Sequence, residues 1–132
     1  MRKQYGAIPF LYDKGRLKVV MITSARGYWI FPKGRFEEKL GKYGTAALEA
    51  LEEAGVEGCV EKKHAFRAKV LINSGELVRL TLFALKVDVM HDNWDEDYRR
   101  KRRVVSVEEA KALITSDGLR DCLEQFEMEF GG

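Results

Sequence analysis

The sequence predicts a mixed α/β domain in which helices pack on a β-sheet. Its 132 residues correspond to about one domain. Apolar residues make up 45% of the chain, enough to bury a core without disulfides or structural metal. Segments of strand character come first, one helix interrupts them, and two helices follow the last strand, an order typical of helices layered on a sheet. We therefore treat residues 1–132 as a single domain.

The predicted elements follow from hydrophobic periodicity and turn-forming residues. Runs of apolar and β-branched residues predict strands at 5–12, 17–23, 28–31, 60–72, 77–89 and 103–105. Turn residues at 13–16 make the first two strands a hairpin. Apolar residues at three-and-four spacing predict helices at 46–54, 107–114 and 119–130. Gly55 ends the first helix, and Ser106 with Glu109 forms a capping box for the second.

Charge and composition exclude several classes of protein. Lys plus Arg number 23 and Asp plus Glu number 21, a near balance that disfavours a strongly basic nucleic-acid-binding protein. Apolar runs stay short of the roughly 18 residues that a membrane span needs, and the first residues do not read as a secretion signal. Cys59 and Cys122 are too few for a disulfide framework or a zinc site, and we expect both to be buried small apolar groups in a cytoplasmic protein.

The first predicted helix carries the main chemical signal. Glu49, Glu52 and Glu53 stand at i, i+3 and i+4, so their carboxylates share one helical face. The stripe expected to be buried comprises Ala47, Leu51 and Ala54. Like charges at this spacing repel weakly, and a hard divalent cation, which takes oxygen ligands and bridges carboxylates to phosphates, would relieve the repulsion. The alternative is an ordinary solvated helix face.

The residues around this helix resemble the Nudix hydrolases, whose box reads G-x5-E-x7-R-E-U-x-E-E-x-G-U with U a bulky aliphatic residue. Residues 34–56 fit that spacing without a gap. The matching positions are Gly34, Glu49, Glu52, Glu53, Gly55 and Val56, with Ala50 as a small aliphatic stand-in. Leu40 replaces the first Glu of the box, and Leu48 replaces its Arg.

The resemblance extends to about residues 3–115. Residues 28–34 (Tyr-Trp-Ile-Phe-Pro-Lys-Gly) look like the lead-in of dinucleoside polyphosphate hydrolases. Segments 52–58, 93–95, 100–102 and 107–110 are similar to the diphosphoinositol polyphosphate phosphohydrolase branch. The resemblance implies the Nudix fold, a mixed β-sheet sandwiched between α-helices, with the box as a loop, a helix and a second loop.

The resemblance also implies a pyrophosphohydrolase that cleaves nucleoside-diphosphate-linked or polyphosphate substrates. Dinucleoside and diphosphoinositol polyphosphates rank highest among them. Glu49, Glu52, Glu53 and the Gly34 carbonyl would hold Mg²⁺ or Mn²⁺. Glu53 is the first candidate for the general base and Glu49 the second, and a distant loop carboxylate such as Glu96 is a further alternative. The family includes monomers and homodimers, and both remain open here.

The two departures from the box occur together. In the family the Glu and the Arg commonly form an ion pair that ties the loop to the helix. Replacing both partners by apolar groups avoids an uncompensated charge, so we expect Leu40 and Leu48 to touch and to anchor the loop by packing. The loss of the pair also leaves an alternative function, a nucleotide- or polyphosphate-binding module with little hydrolytic activity.

A run of five basic residues occupies 99–103. It is interpreted as a solvated turn balanced by the acidic segment 92–97, as a nucleic-acid contact, or as a phosphate clamp, since arginine forks match phosphate geometry. The clamp candidates are Arg100, Lys101 and Arg102, with Lys33 and Arg35 beside the box glycine. The expected partner is an anionic small-molecule polyphosphate or nucleotide, with nucleic acid disfavoured. Tyr28, Trp29 and Trp94 are candidates for core packing or for stacking on a base.

Overall fold

The computed structural model describes residues 1–131, which form eight strands and three helices. The strands are β1 Lys3–Asp13, β2 Arg16–Thr23, β3 Trp29–Ile30, β4 Lys33–Arg35, β5 Val56–Val60, β6 Phe66–Leu71, β7 Leu77–Met90 and β8 Arg102–Ser106. The helices are α1 Gly41–Ala54, α2 Val107–Leu113 and α3 Asp117–Phe130. The order of elements confirms the predicted class.

The sheet is mixed. Its main path runs β3-β2-β1-β7-β5, with β4 paired to β1, β6 to β7 and β8 to β2. β1 and β7 are parallel, and all the other pairs are antiparallel. The predicted hairpin joins β1 and β2 through Lys14 and Gly15, whose φ angles of 52° and 78° are those of a two-residue turn matched to the strand twist.

Hydrophobic cores lie on both faces of the sheet. On one face, Phe10 and Leu82 pack with Leu123 and Phe126 of α3. On the other face a smaller core joins Ala7, Val20 and Ile22 to the alanines of α1. The sheet is therefore sandwiched between helices, as predicted.

The segment predicted as one strand at 60–72 is two strands. β5 and β6 lie end to end along β7, which has 14 residues and pairs with both. The connection between them contains His64, whose Nδ1 lies 2.9 Å from the Glu61 carboxylate. Four consecutive polar residues at 61–64 interrupt the apolar alternation at this break, a local signal that the single predicted strand passes over.

Helix α1 begins at Gly41 rather than at residue 46. Its first turns are rich in residues of low helix propensity, and tertiary packing compensates: the Tyr43 ring lies 4.8 Å from that of Phe83. The buried stripe comprises Ala46, Ala50 and Ala54, each fully buried, together with Glu53. The predicted stripe was correct at Ala54 and wrong at the two other positions, because the helix is rotated by about one residue.

The two cysteines have different surroundings. Cys122 is buried, as expected, whereas Cys59 on β5 is exposed, contrary to expectation. β5 pairs only with β7 among residues 1–131, and its alternate side chains face solvent. Within the same residues, no helix has the length and apolar character that a membrane span requires.

Candidate active site

A cleft of about 620 Å³ opens beside the C-terminal half of α1. Its charged lining consists of Lys33, Glu53, Arg99 and Arg100, and its aromatic lining of Tyr28 and Trp29. The volume lies in the range of small-molecule sites. A carboxylate and three cations thus converge on one concavity.

Glu53 is the buried acidic group of this cleft. Only 7% of it is exposed; its carboxylate accepts a hydrogen bond of 3.2 Å from the Lys33 backbone N–H and lies 3.5 Å from the Arg100 guanidinium. Burial raises the pKa of Glu53 to about 8, a hydrogen bond from its protonated form to Glu49 acts in the same direction, and Arg100 opposes them. Burial thus favours the neutral form of the Glu53 carboxyl group.

Glu49 lies against the backbone of Gly34. β4 holds this glycine opposite Tyr5 of β1. A Cβ atom at position 34 would meet the Glu49 carboxyl group, so a side chain there would displace that carboxyl group. The box glycine and the first box carboxylate of the helix are thus in direct proximity, as a shared ligand set would require.

Glu52 is placed differently. It is half-buried, and burial, followed by the charges of Glu49 and Asp95, raises its pKa. Among residues 1–131, no group of three or more His, Cys, Asp or Glu side chains is arranged to hold a metal ion. The structure thus brings together Glu49, Glu53 and Gly34 and leaves Glu52 beside them. Two adjacent carboxyl groups next to the backbone of Gly34 are oxygen donors that fit a hard divalent cation.

The end of α1 is held by a distant segment, residues 91–102, which we call the capping segment. Four consecutive carbonyls, those of residues 52–55, each accept a hydrogen bond from it. The donors are the Glu96 backbone N–H (3.1 Å), the Trp94 indole N–H (3.0 Å), the Arg102 guanidinium (2.9 Å) and the His91 backbone N–H (2.8 Å). The helix end that carries the glutamates is therefore fully satisfied.

Within the capping segment, Trp94 and Arg102 form one unit. The guanidinium of Arg102 lies 4.1 Å from the centre of the indole ring, and a Cβ atom on Gly55 would meet Trp94 at 2.8 Å. The sequence predicts Arg102 as a phosphate ligand. It predicts either core packing or stacking on a base for Trp94. Neither side chain lines the cleft, and both support the helix end.

Arg100 forms part of the wall of the cleft. Its side chain is only 12% exposed; it lies 2.9 Å from the Glu96 carboxylate and donates a 2.8 Å hydrogen bond to the Thr23 carbonyl. Its neighbour Arg99, which the sequence did not single out, also lines the cleft and pairs with Glu96 at 2.8 Å.

Of the remaining predicted phosphate ligands, some line the cleft and others lie outside it. Lys33 lines the cleft, and burial lowers its pKa while Glu53 raises it. Arg35 and Lys101 are exposed and lie outside the cleft lining. The structure thus gathers Lys33 and Arg100 at the cleft and not the other three candidates.

The loop before α1 is anchored by a hydroxyl group. Leu40 is 45% exposed and stands eight residues before Leu48, about 12 Å along a helix axis, so the expected packing of these two side chains is not supported. The buried Thr45 hydroxyl instead accepts a 3.0 Å hydrogen bond from the Glu37 backbone N–H and donates one of 2.7 Å to the Gly41 carbonyl.

Solved structures share this architecture along the whole chain. The C. elegans Ap4A hydrolase, solved as a binary complex, superposes with a TM-score of 0.78 at 15% identity, covering 100% of this chain and 99% of its own. The Nudix domain of Shewanella oneidensis NrtR, solved with ADP ribose, gives 0.74 at 14% identity, with coverages of 98% and 88%. The protein therefore has the Nudix fold.

Sequence relatives lead to the same family. Three Arabidopsis thaliana proteins are similar to the chain: Nudix hydrolase 4 (30% identity, 95% of this chain, 65% of the relative), Nudix hydrolase 12, mitochondrial (33%, 84% and 59%), and Nudix hydrolase 16, mitochondrial (30%, 89% and 75%). The chain belongs to the Nudix hydrolase family. It spans only 65% and 59% of the length of the first two relatives. No family profile matches the chain.

Proposed function

We propose that this chain is a metal-dependent hydrolase of phosphoanhydride bonds in nucleoside-diphosphate-linked or polyphosphate substrates. The observation that carries the proposal is the meeting of Glu49 and Glu53 beside Gly34, with Glu53 in the lining of a cleft whose other charged groups are cations. Oxygen ligands on one side and cations on the other suit an anionic substrate bridged by a metal ion. The relatives are hydrolases by name, which gives no support to the binding-only alternative.

In this proposal Glu49, Glu52, Glu53 and the Gly34 carbonyl hold Mg²⁺ or Mn²⁺. Glu52 is half-buried and unpaired among the described ion pairs, so no ion pair has to break for it to join the set. A divalent cation bound there neutralises phosphate oxygens and makes water more acidic.

The chain's own groups then orient the substrate and take up a proton. Arg100 and Lys33 bind phosphate oxygens from the wall of the cleft. Water attacks one phosphorus of the anhydride, a P–O bond forms as the bridging P–O bond breaks, and the proton of the water passes to a carboxylate oxygen of Glu53. Glu53 is the first candidate for this base because its carboxylate lines the cleft, and Glu49 is the second candidate.

Dinucleoside and diphosphoinositol polyphosphates are the favoured substrates. Similar folds are those of an Ap4A hydrolase and of a domain solved with ADP ribose. Tyr28, which is 52% exposed, and Trp29 line the cleft and offer ring faces for a nucleobase. Roles for Arg35, Lys101 and Arg102 in phosphate binding stay predictions, as do the cytoplasmic location and the choice between monomer and homodimer.

The test is a substrate panel with Mg²⁺ or Mn²⁺ that compares the wild type with Glu53→Gln. Loss of the base should reduce kcat by at least about 100-fold. The matched control is Glu124→Gln, because Glu124 is an exposed carboxylate on α3, and it should retain full turnover. Near-wild-type turnover by Glu53→Gln would contradict the assignment of the base. Tight binding of the panel by the wild type with no product formed would favour the binding-only alternative.

A further inference from the structure

We infer that the protein has a second anion-binding site, separate from the cleft, that takes a compact small molecule carrying several phosphate groups. The site is a cavity of about 520 Å³, which we call the basic pocket. Its cationic lining consists of Lys3, Lys42, Arg67, Lys69 and Arg79.

The register of the sheet concentrates these charges. Arg79 of β7 stands opposite Lys3 of β1 on one side and opposite Lys69 of β6 on the other. Neighbouring strands are about 4.8 Å apart, so three cations form a row about 10 Å long. Arg67 adds a fourth cation from the next row, where it faces Thr81. Like charges directly opposite one another destabilise a sheet, and a bound polyanion would remove that repulsion.

The cations of the basic pocket are free to bind a ligand. The lining contains no carboxylate, and none of the five side chains forms an ion pair with any residue among 1–131. The capping segment shows the contrast, because Arg99 and Arg100 are both engaged by Glu96.

The basic pocket is distinct from the catalytic cleft. The two share no lining residue. On β1, Gln4 lines the cleft, whereas its neighbours Lys3 and Tyr5 line the basic pocket. On β6, Val70 lines the cleft, whereas its neighbour Lys69 lines the basic pocket. Successive residues of a strand point to opposite faces, so the two cavities open on opposite faces of β1 and β6.

Size and chemistry indicate a compact polyphosphate. The volume lies in the range of small-molecule sites, and the cations converge on one concavity rather than following a path along the surface. Arg67 and Arg79 supply guanidinium forks that match phosphate oxygens, and Thr81 adds a hydroxyl. The floor is apolar, since Tyr5 stacks on Phe83 with an interplanar angle of 7°.

The test is calorimetric titration of the metal-free protein with tripolyphosphate and with myo-inositol hexakisphosphate at low salt. Lys69→Gln/Arg79→Gln should weaken binding at least about tenfold, the usual scale for losing charged hydrogen bonds. The control Lys63→Gln/Lys86→Gln makes the same change in net charge at exposed positions outside both cavities and should change affinity by less than about twofold.

Amide chemical-shift mapping locates the bound probe. We expect shifts at residues 67–69 and 79–81, and we expect them to persist in Glu53→Gln. Wild-type affinity in the Lys69→Gln/Arg79→Gln variant, or shifts confined to the cleft, would overturn the inference. Tighter binding of a single-stranded RNA octamer through the same cations would overturn it in favour of nucleic acid.

Turnover separates this inference from the proposed function. Lys69→Gln/Arg79→Gln should retain kcat on any substrate that the panel identifies, because neither residue lines the cleft. If the wild type hydrolyses no substrate of the panel, the proposed function is contradicted. The titration result, and the inference of a second site, would not be affected.

Discussion

Thr45→Val isolates the contribution of one buried hydroxyl to the loop before α1. The change keeps the shape and the β-branch and removes both hydrogen bonds of the hydroxyl, the 3.0 Å bond from Glu37 and the 2.7 Å bond to Gly41. Each such bond contributes about 0.5–1.5 kcal/mol net. Glu37 is exposed, so its backbone N–H can form a hydrogen bond with water in the variant. We therefore expect a loss of about 1.5 kcal/mol in the free energy of unfolding.

Urea unfolding of the metal-free protein, followed by far-UV circular dichroism, measures this loss at an unchanged m-value. For a domain of this size the loss corresponds to about 6 °C in Tm. The control is Thr45→Ser, which retains the hydroxyl and loses one buried methyl group, about 0.8 kcal/mol. Amide exchange of Glu37 should accelerate in Thr45→Val only.

Two results would refute the reasoning about Thr45. One is a Thr45→Val protein within about 0.3 kcal/mol of the wild type, a difference too small for a buried bridging hydroxyl. The other is a Glu37 amide that exchanges equally fast in both variants. Either result would mean that the loop is held by contacts other than this hydroxyl.

Three further predictions concern the site and the thiols. Trp94→Phe removes the indole donor to the Glu53 carbonyl and should cost about 1–2 kcal/mol in urea unfolding; a change below about 0.3 kcal/mol would contradict the capping role. Because the pKa of Glu53 is raised from 4.5 to about 8, the metal-free folded state holds the extra proton between these values, so Tm should fall as pH rises from 5 to 8. Glu53→Gln should flatten that slope, and equal slopes would count against the raised pKa. Burial raises the pKa of Cys122 to about 12, so iodoacetamide at pH 8 should label Cys59 alone, and two labels per native chain would disprove this.

Local sequence signals predicted the spacing of the α1 carboxylates and the end of the helix better than its start. The spacing of Glu49 and Glu53 and the end of the helix at Gly55 are consequences of helix geometry, which acts over a few residues. The start at Gly41 depends on Tyr43 packing against a strand that lies far along the chain. Propensity does not report such packing.

The supporting contacts of the site join residues that are remote in sequence. Trp94 reaches the carbonyl of Glu53 across 41 positions, and Arg102 reaches that of Ala54 across 48. The row of cations in the basic pocket likewise depends on the pairing of three strands. A single sequence without that pairing shows five scattered basic residues, so neither feature was predictable.

The tightly satisfied end of α1 has a consequence for how the site responds to ions. Its last four backbone carbonyls are all engaged, and its last turn carries Glu52 and Glu53 with no basic residue. The negative pole of the helix dipole adds to the charge of these carboxylates. The main chain there is fixed by these hydrogen bonds, while the Glu52 carboxylate takes part in none of the described ion pairs. When a cation binds or leaves, the glutamate side chains would therefore rotate, and the backbone of α1 would keep its position.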